Sequence, residues 1–158
     1  MTAEPQVDRV RAAYEAVHAP LWRAVLAYSG SSDVADEAVA EAFAQLLRRG
    51  DGVDDPAAWA WRSAFRIAAG ELKRRGSAPV SGDAAPDVGI TLPEPAIDLI
   101  AALQHLTEQQ RACVVLCDLA DHDAPTAARM LGTTAATVRV QRMRARRRLR
   151  ELLEDRDA

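Results

Sequence analysis

The sequence predicts an all-α protein made of two small helical domains joined by a flexible linker. Ala, Leu and Arg are abundant, and aromatic residues make up only 4% of the 158 residues, a composition that favours helices over strands. Apolar residues recur at helical spacing in two blocks, residues 7–75 and residues 97–154. Between them, residues 76–96 carry four prolines and three glycines without any period, which is typical of a flexible linker.

Capping residues, prolines and glycines predict where the helices begin and end. Residues suited to start helices are Ser32 or Asp33, Asp55 with Pro56, Thr107 with Gln110, Asp123 with Pro125, and Thr134. Residues suited to end helices are Gly50, Gly76 and Gly132. Pro20 lies inside the first apolar pattern and predicts a kink or a break there, so three or four N-terminal helices are expected. The first helix of the C-terminal domain is expected near Asp98.

Residues 124–143 have the spacing of a helix-turn-helix. Ala128 supplies a small residue where two helices touch, Gly132 supplies a left-handed turn, and Val138 supplies an apolar anchor.

The charge is distributed unevenly along the chain: residues 124–150 hold eight arginines and no acidic residue, whereas the preceding 123 residues hold 11 basic and 19 acidic ones. A concentrated basic stretch suits a phosphate backbone, so this pattern predicts DNA binding despite the net charge of -3. A solvated arginine-rich helix and a plain helical hairpin are the alternatives.

Other function classes find little support in the sequence. Cys113 and Cys117 lie one helical turn apart with no second Cys or His pair, which predicts reduced, buried thiols rather than a zinc site or a disulfide. The three histidines are isolated, so neither an enzyme, a metal site nor a cofactor is predicted. No signal peptide and no apolar run of about 20 residues is evident, which predicts a cytoplasmic protein without membrane insertion.

Both blocks resemble one family, the extracytoplasmic-function (ECF) sigma factors of bacterial RNA polymerase. The C-terminal block is similar to region 4 at Leu106-Thr107, Gln110-Arg111, Ala128, Leu131-Gly132, Thr137-Val138-Arg139, Arg144-Ala145-Arg146 and Leu149. The N-terminal block is similar to region 2 at Ala35–Phe43, Trp59–Arg62 and Leu72–Arg75. The two blocks stand in the family's order and cover nearly the whole chain.

The resemblance implies a non-catalytic polymerase subunit that directs promoter-specific initiation. Its implied partners are promoter DNA, the β′ and β subunits of core polymerase, and often an anti-sigma factor. The residues implied for the minus-35 element are Thr134, Thr137, Arg139, Gln141, Arg142, Arg144 and Arg146. Those implied for the minus-10 element are Trp59, Arg62, Arg66, Lys73 and Arg74. Those implied for core polymerase are Asp33, Asp36, Glu37, Glu41, Leu46 and Leu47.

Simpler interpretations of these residues stay open at the level of sequence. The acidic row at four-residue spacing also fits a solvated helix face, and tryptophans such as Trp59 and Trp61 are more often core residues than stacking platforms. Arg142 falls on the same stripe as Val138, where its aliphatic stem can cover the core. A helix-turn-helix regulator without sigma activity is the main alternative function, and it predicts a dimer on two half-sites. The charge split suggests that the acidic block covers the basic helix in the free protein.

Overall fold

The computed structural model describes residues 3–76 and 87–157, and within these ranges it contains helices and turns but no strands. An N-terminal block has three helices: α1 (Ala3–Ser29), α2 (Ser32–Arg49) and α3 (Pro56–Arg75). A C-terminal block has four: α4 (Glu94–Leu103), α5 (Glu108–Val114), α6 (Ala124–Leu131) and α7 (Ala135–Asp157). A 3-10 turn (Gly50–Gly52) follows α2, and a π-helical turn (Val115–Leu119) extends α5.

Most of the predicted helix starts are confirmed by their capping hydrogen bonds. The Asp55 carboxylate accepts from the backbone of Ala58 at 3.1 Å, and the Asp123 carboxylate accepts from the backbone of Thr126 at 2.8 Å. Thr107 and Gln110 form the reciprocal capping box that their spacing predicts. Gly50, Gly76 and Gly132 follow α2, α3 and α6, each with a positive φ.

Three boundaries differ from the prediction. The helix α1 continues through Pro20, so the predicted break is wrong; the packing of this helix against α2 and α3 outweighs one missing backbone hydrogen bond. Ser31, not Ser32 or Asp33, caps α2, because Ser32 is already helical and its N–H donates to the Val88 carbonyl at 2.8 Å. The helix α4 begins at Glu94, ahead of Asp98, since a proline is tolerated in a first turn.

The predicted linker is partly tied to the N-terminal block. Residues 77–86 lie outside the described part of the chain. From residue 87 onward the backbone is irregular, but Val88 is only 5% exposed and its carbonyl is bonded to the start of α2. This contact fixes where the chain leaves the first block on its way to α4.

The two blocks pack against each other, but not through the basic helix. The helix α1 contacts α4 and the π-helical turn, and α3 contacts α6. The helix α7 packs on α4, α5 and α6 of its own block. The expectation that the acidic block covers α7 is therefore wrong: α4, the π-helical turn and α6, rather than α7, form the main contacts with the N-terminal block.

Candidate nucleic-acid interface

The helix-turn-helix of α6 and α7 has the geometry that its spacing predicts. Ala128 and Val138 are buried where the two helices meet. Gly132 adopts φ 68° and ψ 38°, the left-handed conformation that a residue with a Cβ adopts at a cost. The Thr134 hydroxyl then accepts from the Thr137 backbone at 3.1 Å and caps the start of α7.

The inner face of α7 is fixed by apolar packing and by one carboxylate. Val138 and Ala145 are fully buried. Asp118, in the π-helical turn, accepts from the Arg142 guanidinium at 2.6 and 3.2 Å and from the Arg146 Nε at 3.0 Å. These bonds hold the Arg142 and Arg146 side chains against the C-terminal block. The two arginines therefore fix the position of α7 and do not project outward. The predicted stem of Arg142 over the core agrees with its one-third exposure.

The electrostatics of this cluster favour a charged Asp118. Burial raises the pKa of the Asp118 carboxyl, but the hydrogen bonds from Arg146 and Arg142 outweigh burial and keep that pKa below its ordinary value. The same bonds raise the pKa of both arginines. The cluster thus stays an ion triad throughout the physiological pH range.

The outer face of α7 differs from the face that the resemblance implies. Ala136, Val140, Met143 and Arg147 are all exposed and follow each other at spacings of four, three and four residues, which makes them one stripe. Val140 is 41% and Met143 53% exposed. The sequence reasoning missed this stripe, although its signal was present: Val140 lies two residues after the core residue Val138, and Met143 lies two residues before the core residue Ala145.

The residues predicted for the minus-35 element divide into three groups. Arg139 and Arg144 are exposed beside the outer stripe. Thr134 and Thr137 bond to each other through their hydroxyls at 2.9 Å at the helix start, and Gln141 is half-buried. Arg142 and Arg146 bind Asp118, as described above. Only the first two groups are free to approach a DNA base.

A cationic crevice lies between α3 and the turn of the helix-turn-helix. Arg62, Arg66 and Lys73 line it from one face of α3, and the crevice has a volume of about 450 Å³. Its other walls include Tyr28 and Phe65 on one side and Met130, Leu131 and Gly132 on the other. None of the three cations forms an ion pair with an acidic side chain in the part of the chain that the structure describes.

The other two residues predicted for the minus-10 element lie away from this crevice. Trp59 packs partly against the core, with the Arg49 guanidinium 5.8 Å from its ring centroid. Arg74 is paired with Glu71 at 2.5 Å. Trp61 is 5% exposed and therefore belongs to the core. The structure thus brings three of the five predicted residues together.

The acidic helix α2 borders an apolar groove. Asp33, Asp36, Glu37 and Glu41 are exposed along this helix. Leu47 lines the groove of about 600 Å³ between α1 and α2, together with Val7, Tyr14 and Phe43. Leu46 is 1% exposed, so its predicted contact with polymerase is excluded by its place in the core. Two of the acids are already bonded: Asp36 accepts from Trp22 Nε1, and Glu41 from Gln45 and Arg48.

Comparison with known proteins gives a family match for the C-terminal block and similar folds for the two blocks together. Residues 96–149 match the family Sigma-70, region 4. The sigma factor RpoE of Bartonella quintana, solved in complex with the anti-sigma factor NepR, is 21% identical with a TM-score of 0.71 over 89% of this chain and 94% of that one. The extracytoplasmic-function sigma factor SigJ of Mycobacterium tuberculosis is 24% identical with a TM-score of 0.62 over 85% of this chain. This chain has the fold of an extracytoplasmic-function sigma factor.

The all-α fold class and the family resemblance are therefore confirmed. The match covers 52% of the SigJ chain, so this chain spans about half the length of SigJ. The comparison with curated proteins found no match. Within region 4 of this sigma-factor fold, α6 and α7 are the helix-turn-helix, and α5 with its π-helical turn supports them.

The two cysteines of this sigma-factor fold are core residues. Cys113 and Cys117 are free and buried. Burial, with a smaller effect of the neighbouring Cys117, raises the pKa of the Cys113 thiol to about 11. Across residues 3–76 and 87–157, the structure brings no three His, Cys, Asp or Glu side chains together as metal ligands. In the same ranges, none of the helices combines the length and the apolar character that crossing a bilayer requires.

Proposed function

We propose that this protein is an ECF-type sigma factor, a dissociable subunit that gives core RNA polymerase its promoter specificity and performs no catalysis itself. The observation that carries the proposal is the region 4 helix-turn-helix, whose basic helix α7 has a free outer face. Its coupling to a second helical block with an acidic helix and a cationic crevice distinguishes a sigma factor from a simple DNA-binding module. As a polymerase subunit it acts in the cytoplasm.

Region 4 is proposed to bind the minus-35 element as duplex DNA. The N-terminal part of α7 enters the major groove, where Arg139 and Arg144 can donate to guanine and Thr137 can contact a neighbouring base. Arg147 and Arg148 are exposed further along the helix and suit phosphate contacts. The Thr134 side chain contributes by capping α7, and Arg142 and Arg146 contribute by fixing the orientation of the helix through Asp118.

The N-terminal block is proposed to hold the opened strand of the minus-10 element. Arg62, Arg66 and Lys73 share one face of α3 and lack acidic partners among the described residues, so they can follow a phosphate backbone. The crevice they line is bounded by the helix-turn-helix, so a strand on α3 requires the two blocks to separate. Trp59 and Arg74 are peripheral in this proposal because they lie outside the crevice.

Core polymerase is proposed to bind along α2. The exposed acids Asp33, Glu37 and Glu41 supply charge for a basic partner surface on β′, and Leu47 with the adjoining groove supplies apolar area. The β subunit is a proposed partner of the C-terminal block. Because the sigma factor RpoE forms a complex with an anti-sigma factor, a regulator of the same kind is proposed for this chain.

Run-off transcription on a library of genomic fragments tests the proposal. Core polymerase with this protein is expected to yield discrete new start sites that share two upstream elements. Glu37→Lys reverses an exposed charge on α2 that forms no ion pair with the described residues. It should abolish these starts while duplex binding persists. Glu15→Lys, the same charge reversal at an exposed position on α1, serves as the matched control. If no starts appear and the protein still binds duplex DNA with salt dependence, it is a regulator without sigma activity.

The crevice is tested separately with single-stranded DNA carrying the selected minus-10 sequence. Arg62→Gln and Arg66→Gln should each weaken binding and lower the salt dependence by about one phosphate contact. Arg23→Gln removes an equal charge from an exposed position on α1 and should leave binding unchanged. Equal loss in all three variants would show that total charge, and not the α3 face, binds the strand.

A further inference from the structure

The outer stripe of α7 is apolar where the helix is otherwise rich in arginine. Ala136, Val140 and Met143 are exposed on it, and Arg147 follows. Val140 and Met143 are 41% and 53% exposed and contribute nothing to the core, which the opposite face of the helix already completes with Val138 and Ala145. Exposed apolar side chains at the centre of a basic surface point to a ligand with an apolar group among its charges.

We infer that Ala136 and Val140 read thymine methyl groups in the major groove, with Met143 extending the contact. This inference rests on the proposed binding of duplex DNA by region 4. The thymine methyl is the one apolar group that a base presents at the floor of the major groove, and small apolar side chains recognise it by contact. The helix therefore selects its element partly by methyl groups and only partly by arginine.

The placement of the two residues along α7 agrees with this role. They are the second and sixth residues of the helix that begins at Ala135, and recognition helices contact base edges with their N-terminal residues. At a rise of about 1.5 Å per residue they are about 6 Å apart along the axis, close to two base-pair steps of about 3.4 Å. Two thymines that lie two base pairs apart can therefore be contacted at once.

The surrounding charges favour DNA over a protein partner. Arg139, Arg144 and Arg147 are exposed around the stripe, and none of them forms an ion pair in the described part of the chain. A second copy of this chain would bring like charges together, which disfavours self-association through this face. Arg142 and Arg146 are bonded to Asp118, so they do not contact the bases that would lie against the outer stripe.

The experiment removes the methyl group alone. Duplexes are selected from a random library with the full-length protein, and each thymine of the selected element is then replaced by deoxyuridine, which keeps the base pairing and its hydrogen bonds. Affinity measured by fluorescence anisotropy should fall about fourfold for each contacted methyl, the equivalent of one buried methyl group. Val140→Ala should bind the thymine duplex more weakly and should lose sensitivity to deoxyuridine at one position.

Leu119→Ala is the matched control, because Leu119 is similarly exposed in the same block but lies off the helix-turn-helix surface. It should keep the full deoxyuridine effect. Tolerance of deoxyuridine at every position, a selected element without thymine, or equal sensitivity in Val140→Ala and the wild type overturns the inference while leaving DNA binding intact. If no duplex is selected at all, the proposed function of region 4 fails, and this inference fails with it.

Discussion

The Arg111 guanidinium donates to the Tyr28 carbonyl at 2.9 Å and so joins α5 of one block to the end of α1 in the other. Arg111 is only 8% exposed, and burial holds its pKa below the ordinary value. Its guanidinium also lies 5.5 Å from the Tyr28 ring centroid and bonds Gln104 at 3.2 Å, while Gln104 in turn donates to the Ala27 carbonyl at 3.4 Å. A buried charge with these partners makes the docking of the blocks specific.

Arg111→Met is expected to separate the two blocks. The change keeps the length of the stem but removes the donor, which leaves the Tyr28 carbonyl buried without its partner at a cost of about 1–3 kcal/mol. Small-angle scattering should show a larger radius of gyration, while far-ultraviolet circular dichroism keeps its helical signal.

Arg9→Met is the control for this prediction. Arg9 also donates to two backbone carbonyls, those of Val53 and Asp54, each at 3.1 Å, but it does so within the N-terminal block. It should lower the melting temperature without changing the radius of gyration. An unchanged radius for Arg111→Met would mean that this residue stabilises α5 alone.

The contrast between these arginines shows what the sequence can predict. The helix boundaries were predictable, because caps such as Asp55 and Thr107 and the turn residue Gly132 form hydrogen bonds with residues only a few positions away in the sequence. The bond from Arg111 to Tyr28 spans 83 residues. No periodicity carries that information, since the geometry of docking depends on surfaces that only the folded blocks present.

The candidate site divides in the same way. The basic charge of α7 was evident from its composition, and Arg62, Arg66 and Lys73 follow each other at spacings of four and seven residues, which place them on one face of a helix. The hydrogen bonds from Arg142 and Arg146 to Asp118 could not be predicted from the sequence. The Asp118 carboxylate lies in a π-helical turn, and the extra residue of that turn changes the direction of the side chain. The exposed stripe was obscured for a different reason: an apolar residue on a helix is ordinarily assigned to its core face.

Asp118→Asn should make the binding of duplex DNA more salt-dependent. The neutral side chain releases Arg146, which is half exposed and can then reach a phosphate. The slope of log affinity against log salt concentration should steepen by about one contact, or about 0.9. Glu154→Gln removes an equal charge from the exposed end of α7 and should leave the slope nearly unchanged. If both variants steepen the slope equally, general charge explains the effect.

Docking of the blocks should weaken as the pH falls below about 6.5, the ordinary pKa of histidine. The His122 ring lies 4.5 Å from the Trp61 ring in an edge-on arrangement, and its Nε2 is buried without a hydrogen-bond partner among the residues that the structure describes. Burial lowers the pKa of His122, and the neighbouring Asp123 and Asp121 oppose that shift only in part. The undocked state therefore binds more protons, so stability is full at higher pH and declines on acidification.

Scattering and thermal unfolding between pH 7.5 and 5.5 measure this dependence. His122→Gln should flatten the change of radius with pH, because the titrating group is gone. His105→Gln replaces an exposed histidine of the same block and should keep the wild-type profile. A profile that is identical in all three proteins would assign the pH dependence to other groups.

Replacing glycine by alanine should have opposite effects at Gly132 and Gly70. Gly132 has φ 68°, and an added Cβ would meet no atom there, so Gly132→Ala carries only the conformational cost of a left-handed residue, about 1 kcal/mol. Gly70 lies within α3, where an added Cβ also meets nothing, so Gly70→Ala should stabilise the helix by about 0.5–1 kcal/mol. Thermal unfolding should show a lower midpoint for the first variant and a higher one for the second. Gly132→Asn should fall between wild type and Gly132→Ala, because asparagine tolerates this conformation better; equal midpoints for Asn and Ala would mean that backbone strain is not what the turn requires of this position.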